Sequence, residues 1–222
     1  MSLTETNTTQ GYILKILQKL NWEYLPPASI QRERTDILIE KTLKQKLQDL
    51  NPEIKKQPER ADEVIYQLEK IIHSTQDGLI KANEEFSKWF KGDKTMPYGE
   101  NNQSIPIKLI DFDNIENNSF QITDEYSVKS SITGLTRRAD IILFVNGIPL
   151  INIETKSPVR QSQSWANAAS QISDDYESNI PELYASNVFN AATEGKELWY
   201  GVIGSEWEEH WEEWKQSKSE PL

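Results

Sequence analysis

The chain has 222 residues, a length that can bury a hydrophobic core as one large domain or as one domain with a helical annex. Its formal net charge is −11, from 35 acidic and 24 basic residues, which disfavours a protein that grips duplex DNA unaided. Cysteine is absent, so disulfide frameworks and thiolate metal sites are excluded. The N-terminus lacks a signal segment and no apolar run approaches ~20 residues, so we expect a cytoplasmic protein without a membrane span.

Helical spacing of apolar residues dominates the first ninety positions. The pattern covers 9–20, 37–50 and 61–90, and prolines punctuate the stretches between these segments. We therefore predict an N-terminal helical region over residues 1–95, followed by a second unit over 96–222. Residues 91–104 are polar and contain glycine and proline, which predicts a loop.

Strands and helices are mixed in the second unit, which favours an α/β fold in which helices flank a mixed β-sheet. A strand is predicted on each side of Asn146-Gly147. The other predicted elements are two strands within 105–126, a polar connection at 127–136, a helix at 162–176, strands at 188–193 and 198–203, and a helix at 207–215.

The two apolar runs around Asn146-Gly147 form a strong hairpin signal. Asp140 precedes the first run and Glu154-Thr155-Lys156 follows the second, so these residues meet at the open end. A regular two-residue turn sends the two carboxylates to opposite faces of the sheet. A three-residue loop at 146–148, or a bulge near Pro149, pairs Asp140 with Glu154. We favour the bulge, because proline has no N–H to give to a ladder.

In the bulged register, Asp140, Glu154 and Lys156 share one face of the sheet, while Thr155 turns to the other. Mg²⁺ prefers oxygen ligands, and a divalent ion beside a lysine suits phosphodiester hydrolysis. Asp140 and Glu154 are therefore the candidate metal ligands, with the Thr155 carbonyl as a third, and Lys156 is a candidate catalytic residue. Mn²⁺ is expected to substitute for Mg²⁺. The competing interpretation is an accidental pattern of solvated charges at strand ends.

Residues 138–158 resemble the core of the PD-(D/E)xK nuclease domain at the N-terminus of the restriction subunit of type I restriction-modification enzymes. Ala139 stands where the family name has a proline. The resemblance covers about 80–222 well and the first eighty residues more loosely, with matching segments at 107–113, 117–120 and 179–195. It implies a restriction-endonuclease-like fold, a Mg²⁺-dependent endonuclease that cuts DNA, Asp140 and Glu154 as metal ligands, and Lys156 as the catalytic lysine.

Members of this family often carry a glutamine and a tyrosine four residues apart on the helix after the lysine, whereas Gln171 and Tyr176 are five apart. Five positions turn an α-helix by about 140°, so both side chains reach one site only if the helix is distorted or ends between them. On that condition, both are supporting candidates. Many such nucleases also carry an acidic residue on an early helix that assists the metal, and Glu85 is the candidate for it.

Three arginines around the proposed site are candidate DNA contacts: Arg137, Arg138 and Arg160. The resemblance implies that methylation and specificity subunits and an ATP-driven motor hold the DNA, and we expect the motor portion to be absent from this chain. ATP is expected only for that motor, since Gly195-Lys196 lacks the earlier glycine of a phosphate loop. The alternative to a nuclease is a catalytically silent docking module for partner subunits, which the acidic surface and the spacing of Gln171 favour.

Overall fold

The computed structural model describes residues 9–157 and 164–215. The helices of this part of the chain are α1 (Gly11–Lys19), α2 (Glu40–Leu50), α3 (Pro52–Lys56), α4 (Arg60–His73), α5 (Leu79–Phe90), α6 (Trp165–Ser170), α7 (Glu177–Asn179) and α8 (Trp207–His210). The strands are β1 (Glu23–Tyr24), β2 (Thr95–Met96), β3 (Ile105–Pro106), β4 (Phe120–Lys129), β5 (Thr136–Val145), β6 (Ile148–Thr155), β7 (Phe189–Thr193), β8 (Leu198–Gly201) and β9 (Glu212–Glu213). Over the same residues, no helix has the length and apolarity that crossing a membrane requires.

Seven strands form one mixed sheet in the order β1-β4-β5-β6-β7-β8-β9. The pairs β1–β4 and β6–β7 are parallel, and the other neighbours are antiparallel. Strands β2 and β3 form a separate antiparallel pair. The α/β class and the mixed sheet flanked by helices are therefore confirmed.

Both faces of the sheet are covered, and β5 shows how side-chain alternation divides the core. Ile142 and Phe144 belong to a large cluster that also contains side chains of α2, α4, α5 and α6. Ile141 and Leu143 belong to a smaller cluster on which α1 packs. The N-terminal region thus supplies an edge strand and core residues on both faces of the sheet. The boundary between two units near residue 95 stays a prediction.

The segment 61–90, which has helical spacing throughout, forms two helices, α4 and α5. Between these helices, Ser74–Asp77 form a 3₁₀ turn and Gly78 has a φ of 133°, which side-chain-bearing residues rarely adopt. The predicted connection at 127–136 is too long, because β4 continues to Lys129 and β5 already begins at Thr136. Buried Glu182 tightens this connection, since its Oε1 accepts the Ser130 hydroxyl at 2.9 Å.

The predicted helix at 207–215 is wrong beyond His210. The chain turns extended there, and β9 pairs with β8. Trp211 is only 5% exposed and lies against Gly201, where an added Cβ would overlap the indole. Burial of this large side chain and a new strand pairing outweigh the local helical pattern.

The hairpin of β5 and β6 contains the bulge that the sequence favours. Its two-residue turn, Asn146-Gly147, has positive φ at both positions, so the three-residue loop is wrong. Phe144 pairs with Pro149 but Leu143 pairs with Ile151, which leaves Leu150 as the extra residue.

Because of this shift, Ile141 stands opposite Ile153. The next residue on each strand is an acid, Asp140 on β5 and Glu154 on β6. The two carboxylates therefore lie side by side at the open end of the hairpin, as the bulged register predicts.

We predict that Gly147→Ala lowers the free energy of unfolding by about 3 kcal/mol or more. Gly147 has a φ of 81°, and its new Cβ would lie 2.6 Å from the Ile39 carbonyl oxygen. Gly134→Ala is the matched control, because Gly134 has a φ of 73° but no atom within 4 Å of an added Cβ. It should cost about 1 kcal/mol. Urea denaturation measures both values, and equal losses would contradict a role for the Ile39 contact.

Candidate active site

An open groove of about 460 Å³ lies where β5 begins and β6 ends, beside the helix that follows β6. All nine residues that line it have a polar or charged side-chain group. The lining residues are Ser127, Thr136, Arg137, Arg138, Asp140, Glu154, Lys156, Gln171 and Tyr176. The groove therefore brings together most of the residues that the sequence singles out.

Asp140 is held in place by Thr155. Its Oδ2 accepts the Thr155 backbone N–H at 2.8 Å and the Thr155 hydroxyl at 2.7 Å. The expectation that Thr155 turns to the other face is wrong for its hydroxyl, which donates to Asp140. Two donors on one oxygen fix the orientation of the carboxylate.

Glu154 is the most deeply buried acid of the groove, with 2% exposure. Its Oε1 lies 3.5 Å from the Lys156 ammonium, while its Oε2 has no hydrogen-bond partner in the described part of the chain. Burial raises the pKa of Glu154 well above its ordinary value, nearby Asp140 raises it further, and Lys156 opposes both effects. An unpartnered buried carboxylate oxygen beside a second carboxylate is unfavourable without a cation, so the donor set fits a divalent metal ion.

Lys156 is oriented by a chain of side-chain contacts. Its ammonium donates to the Gln171 carbonyl oxygen at 2.5 Å, and the Gln171 amide donates to the Tyr176 hydroxyl. Tyr176 in turn donates to the Arg138 backbone carbonyl at 2.8 Å. The lysine is therefore tied through two side chains to the strand that carries Asp140.

Gln171 and Tyr176 meet because the helix is distorted between them. Gln171–Tyr176 form a π-helical segment between α6 and α7. Its i→i+5 hydrogen bonds bring residues five positions apart close together on one face, and such segments are frequent at functional sites. The condition attached to the five-residue spacing is thus met, and the spacing no longer argues against a supporting role for Gln171.

The arginine candidates at the groove are engaged by acids. The Arg137 Nε lies 2.8 Å from both Asp175 carboxylate oxygens, and Arg138 forms an ion pair with Glu125. Their role in DNA binding stays a prediction, and Arg160 lies outside the described residues. Glu85 forms exposed ion pairs on α5 and does not line the groove.

Two contributors escape the sequence patterns. Thr9 and Gln10 are buried, and their side chains donate to the backbone carbonyls of Lys156 and Asp140. They precede an amphipathic helix far from the hairpin in sequence, and no local motif marks them as part of a site. Only the packing of α1 on the sheet reveals the connection.

Comparison with known proteins identifies the family of this chain. The model of the family described as type I restriction enzyme R protein N terminus matches residues 2–208. The chain belongs to this family. The R-protein resemblance noted in the sequence is therefore confirmed, and it extends over the helical first part as well as the hairpin.

Similar R-protein sequences come from a bacterium and an archaeon. The type I restriction enzyme HindI endonuclease subunit of Haemophilus influenzae is 30% identical over 191 residues, which are 82% of this chain and 17% of that protein. The putative type I restriction enzyme MjaIXP endonuclease subunit of Methanocaldococcus jannaschii is 35% identical over 103 residues, which are 46% of this chain and 10% of that protein. The match thus spans less than a fifth of the length of either relative.

Glu177 follows the π-helical segment of this R-protein domain and is mostly buried. Its Oε2 accepts the Gly204 N–H at 2.8 Å, and its Oε1 lies 3.5 Å from the Asn190 amide nitrogen. Burial raises the pKa of Glu177 from 4.5 to about 7, although the Gly204 N–H opposes the shift. Because the folded state holds the proton more tightly, Glu177 makes stability fall as pH rises from about 4.5 to about 7.

We predict that Glu177→Gln raises the free energy of unfolding by about 1–3 kcal/mol at pH 8 and has little effect at pH 4.5. The substitution keeps an acceptor for the Gly204 N–H and removes the buried charge. Chemical denaturation at both pH values tests this. Glu116→Gln on an exposed turn makes the same charge change and should show no such pH dependence. A Glu177→Gln effect of equal size at both pH values would contradict the prediction.

Proposed function

We propose that this domain is a Mg²⁺-dependent endonuclease that hydrolyses DNA phosphodiester bonds as part of type I restriction against foreign DNA. One observation carries the proposal. The buried Glu154 Oε2 has no partner in the described residues, although a second carboxylate and an ammonium group lie beside it. Such a cluster is well suited to a small, doubly charged cation.

The proposed ligands are the carboxylates of Asp140 and Glu154, with the Thr155 backbone carbonyl as a third and Mn²⁺ as a substitute for Mg²⁺. A divalent cation there would polarise a phosphoryl oxygen and lower the pKa of a nearby water. The Thr155 N–H and hydroxyl already orient Asp140 through Oδ2. No rearrangement of Asp140 is then needed when the cation binds, which lowers the free-energy cost of assembling the site.

Lys156 is proposed to act on the phosphate or on the water. Its ammonium is fixed by Gln171 and is mostly shielded from solvent, with 9% of the residue exposed. A fixed positive charge in such surroundings stabilises the negative charge that develops on the phosphate more strongly than a mobile one in water. Gln171 and Tyr176 support the reaction by holding this charge in place.

Other parts of a larger assembly are proposed to hold the DNA. The net charge is −11, and the two described arginines of the groove are already paired with acids. The relatives are named as endonuclease subunits, and this chain matches 17% or less of each one described above. We therefore propose that methylation and specificity subunits and an ATP-driven motor portion deliver the DNA to this site.

A catalytically silent docking module is the second candidate. The acidic surface and the paired arginines favour it, since both reduce the affinity for DNA. A docking module has no need to bind a divalent ion at Asp140 and Glu154. Metal binding therefore separates the two functions even if the isolated domain cuts poorly.

We predict that the wild-type domain binds Mn²⁺ and nicks supercoiled plasmid in its presence. Asp140→Asn and Glu154→Gln should each weaken Mn²⁺ binding at least about tenfold and abolish nicking, since each removes a ligand charge. Lys156→Met should still bind Mn²⁺ but lose nicking, because it removes the ammonium and no ligand. Isothermal titration calorimetry and gel analysis of plasmid forms give the two measurements.

Glu85→Gln is the matched control for this series, because it removes an exposed acid that does not line the groove. It should leave both binding and nicking unchanged. Nicking that survives in all three site variants would rule out the proposed site. A wild-type domain that binds no Mn²⁺ would leave the docking module as the function.

We further predict that Mn²⁺ affinity rises with pH above the ordinary titration range of a glutamate. Burial and Asp140 raise the pKa of Glu154, so protons compete with the cation for this carboxylate more strongly than for an ordinary glutamate. Higher pH removes the bound proton in advance and favours binding. Calorimetry in two buffers with different enthalpies of ionisation should detect proton release at the lower pH. A pH-independent affinity would show that Glu154 is already ionised when the ion binds.

A further inference from the structure

Two adjacent side chains just before α1 reach the backbone of the candidate site from far away in sequence. Gln10 is 1% exposed and Thr9 is 3% exposed, so both are buried. The Gln10 amide donates to the Asp140 carbonyl at 2.9 Å across 130 sequence positions. The Thr9 hydroxyl donates to the Lys156 carbonyl at 3.0 Å across 147 positions, with the Glu194 carbonyl at 3.4 Å.

Regular strand pairing does not hold the backbone of Asp140. Between β4 and β5 the paired residues are Asp124 with Ile141 and then Tyr126 with Ala139, so Asp140 has no partner in that register. Glu125, which would face it, has a φ of 51°. Pairing between β5 and β6 stops at Ile141, so it does not include the adjacent Asp140. Gln10 therefore engages the Asp140 backbone where regular strand pairing is interrupted on both sides.

Lys156 lies just past the end of β6. Its N–H donates to the Thr193 carbonyl at 2.8 Å, and its carbonyl accepts from Thr9. Both polar groups of its peptide backbone are thereby fixed, one by a neighbouring strand and one by the N-terminal segment.

Helix α1, which follows Thr9 and Gln10, packs on the sheet next to these contacts. It packs on the smaller core cluster through side chains on one face, namely Ile13, Leu14 and Leu17. That cluster contains Ile141 and Ile153, the neighbours of the two acids. Helix α1 thus covers the face of the sheet opposite the groove, and the hydrogen bonds of Thr9 and Gln10 extend this anchoring to the residues that carry the site.

We infer that Thr9 and Gln10 are positioning residues for the carboxylate pair and the lysine. They touch no reacting atom and act by holding the backbones of Asp140 and Lys156, so that the two groups keep their separation. The inference rests on the proposed function, since it assigns the contacts a purpose in metal binding. A purely structural role would affect only the stability of α1 on the sheet.

Isosteric substitutions separate these roles. Gln10→Met and Thr9→Val keep the size of each side chain but remove the donor, whereas Thr9→Ser keeps the hydroxyl. Gln18→Met on the exposed side of α1 is the matched control. The measurements are the Mn²⁺ dissociation constant by calorimetry, at a temperature where all variants are folded, and the thermal midpoint in EDTA.

Loss of either donor should raise the Mn²⁺ dissociation constant by about tenfold or more, as the loss of other outer-shell contacts does. Thr9→Ser and Gln18→Met should stay near the wild-type constant. Should Gln10→Met fail to fold, Gln10→Asn keeps an amide that is too short to reach Asp140 and should show the same loss of affinity.

Two results would overturn the inference, and they differ from each other. If the wild type binds Mn²⁺ and the donor-deleted variants bind it equally well while melting earlier, the contacts are structural only. If the wild type itself binds no Mn²⁺, the proposed function fails first, and the positioning role fails with it.

Discussion

The candidate site depends on one extra residue in a strand. Side chains alternate along β6, so the bulge at Leu150 decides whether Glu154 faces the groove or the opposite face. Without it, Glu154 would stand opposite Ala139, and the alternation of side chains would send the two carboxylates to opposite faces of the sheet. The tight turn at Asn146-Gly147 sets the register at one end, because Val145 pairs with Ile148 and both turn residues have the positive φ of a two-residue hairpin. All later contacts of the two acids follow from this register.

An extra residue also changes side-chain directions in the helical segment between α6 and α7. The π-helical segment at Gln171–Tyr176 absorbs one position, so that Lys156, Gln171 and Tyr176 form one continuous chain of hydrogen bonds. A regular α-helix would place Gln171 and Tyr176 about 140° apart. The bulge in β6 and the π-helical segment therefore have the same effect, because each turns a side chain towards the groove. Regular secondary structure is interrupted at the two places where the site requires particular side-chain directions.

Local pattern and long-range packing explain what the sequence could predict and what it could not. The hairpin, the bulge near Pro149 and the shared face of Asp140, Glu154 and Lys156 follow from turn chemistry and alternation within 17 residues, 140–156. The contacts of Thr9 and Gln10 span more than a hundred positions and depend on how α1 packs. Strand β9 likewise depends on packing outside its own segment, since Trp211 packs against Gly201 and β9 pairs with β8. The spacing of apolar and polar residues within one segment does not indicate which residues of other segments will pack against it.

Burial and charge together suggest how such a site is controlled. Glu154 is almost fully buried beside another acid, which disfavours its ionised form until a cation or Lys156 compensates for it. The surrounding framework tolerates this because Asp140 and Lys156 are each held by several hydrogen bonds that do not depend on the ion. The groove arginines, in contrast, are already neutralised by Asp175 and Glu125. In the proposed function, a metal ion would then be bound by a preformed cluster, whereas DNA would be bound weakly. Efficient cleavage would depend on delivery of the DNA by other parts of the assembly, and the isolated domain would cut slowly, because phosphates compete poorly for arginines that are paired with local acids.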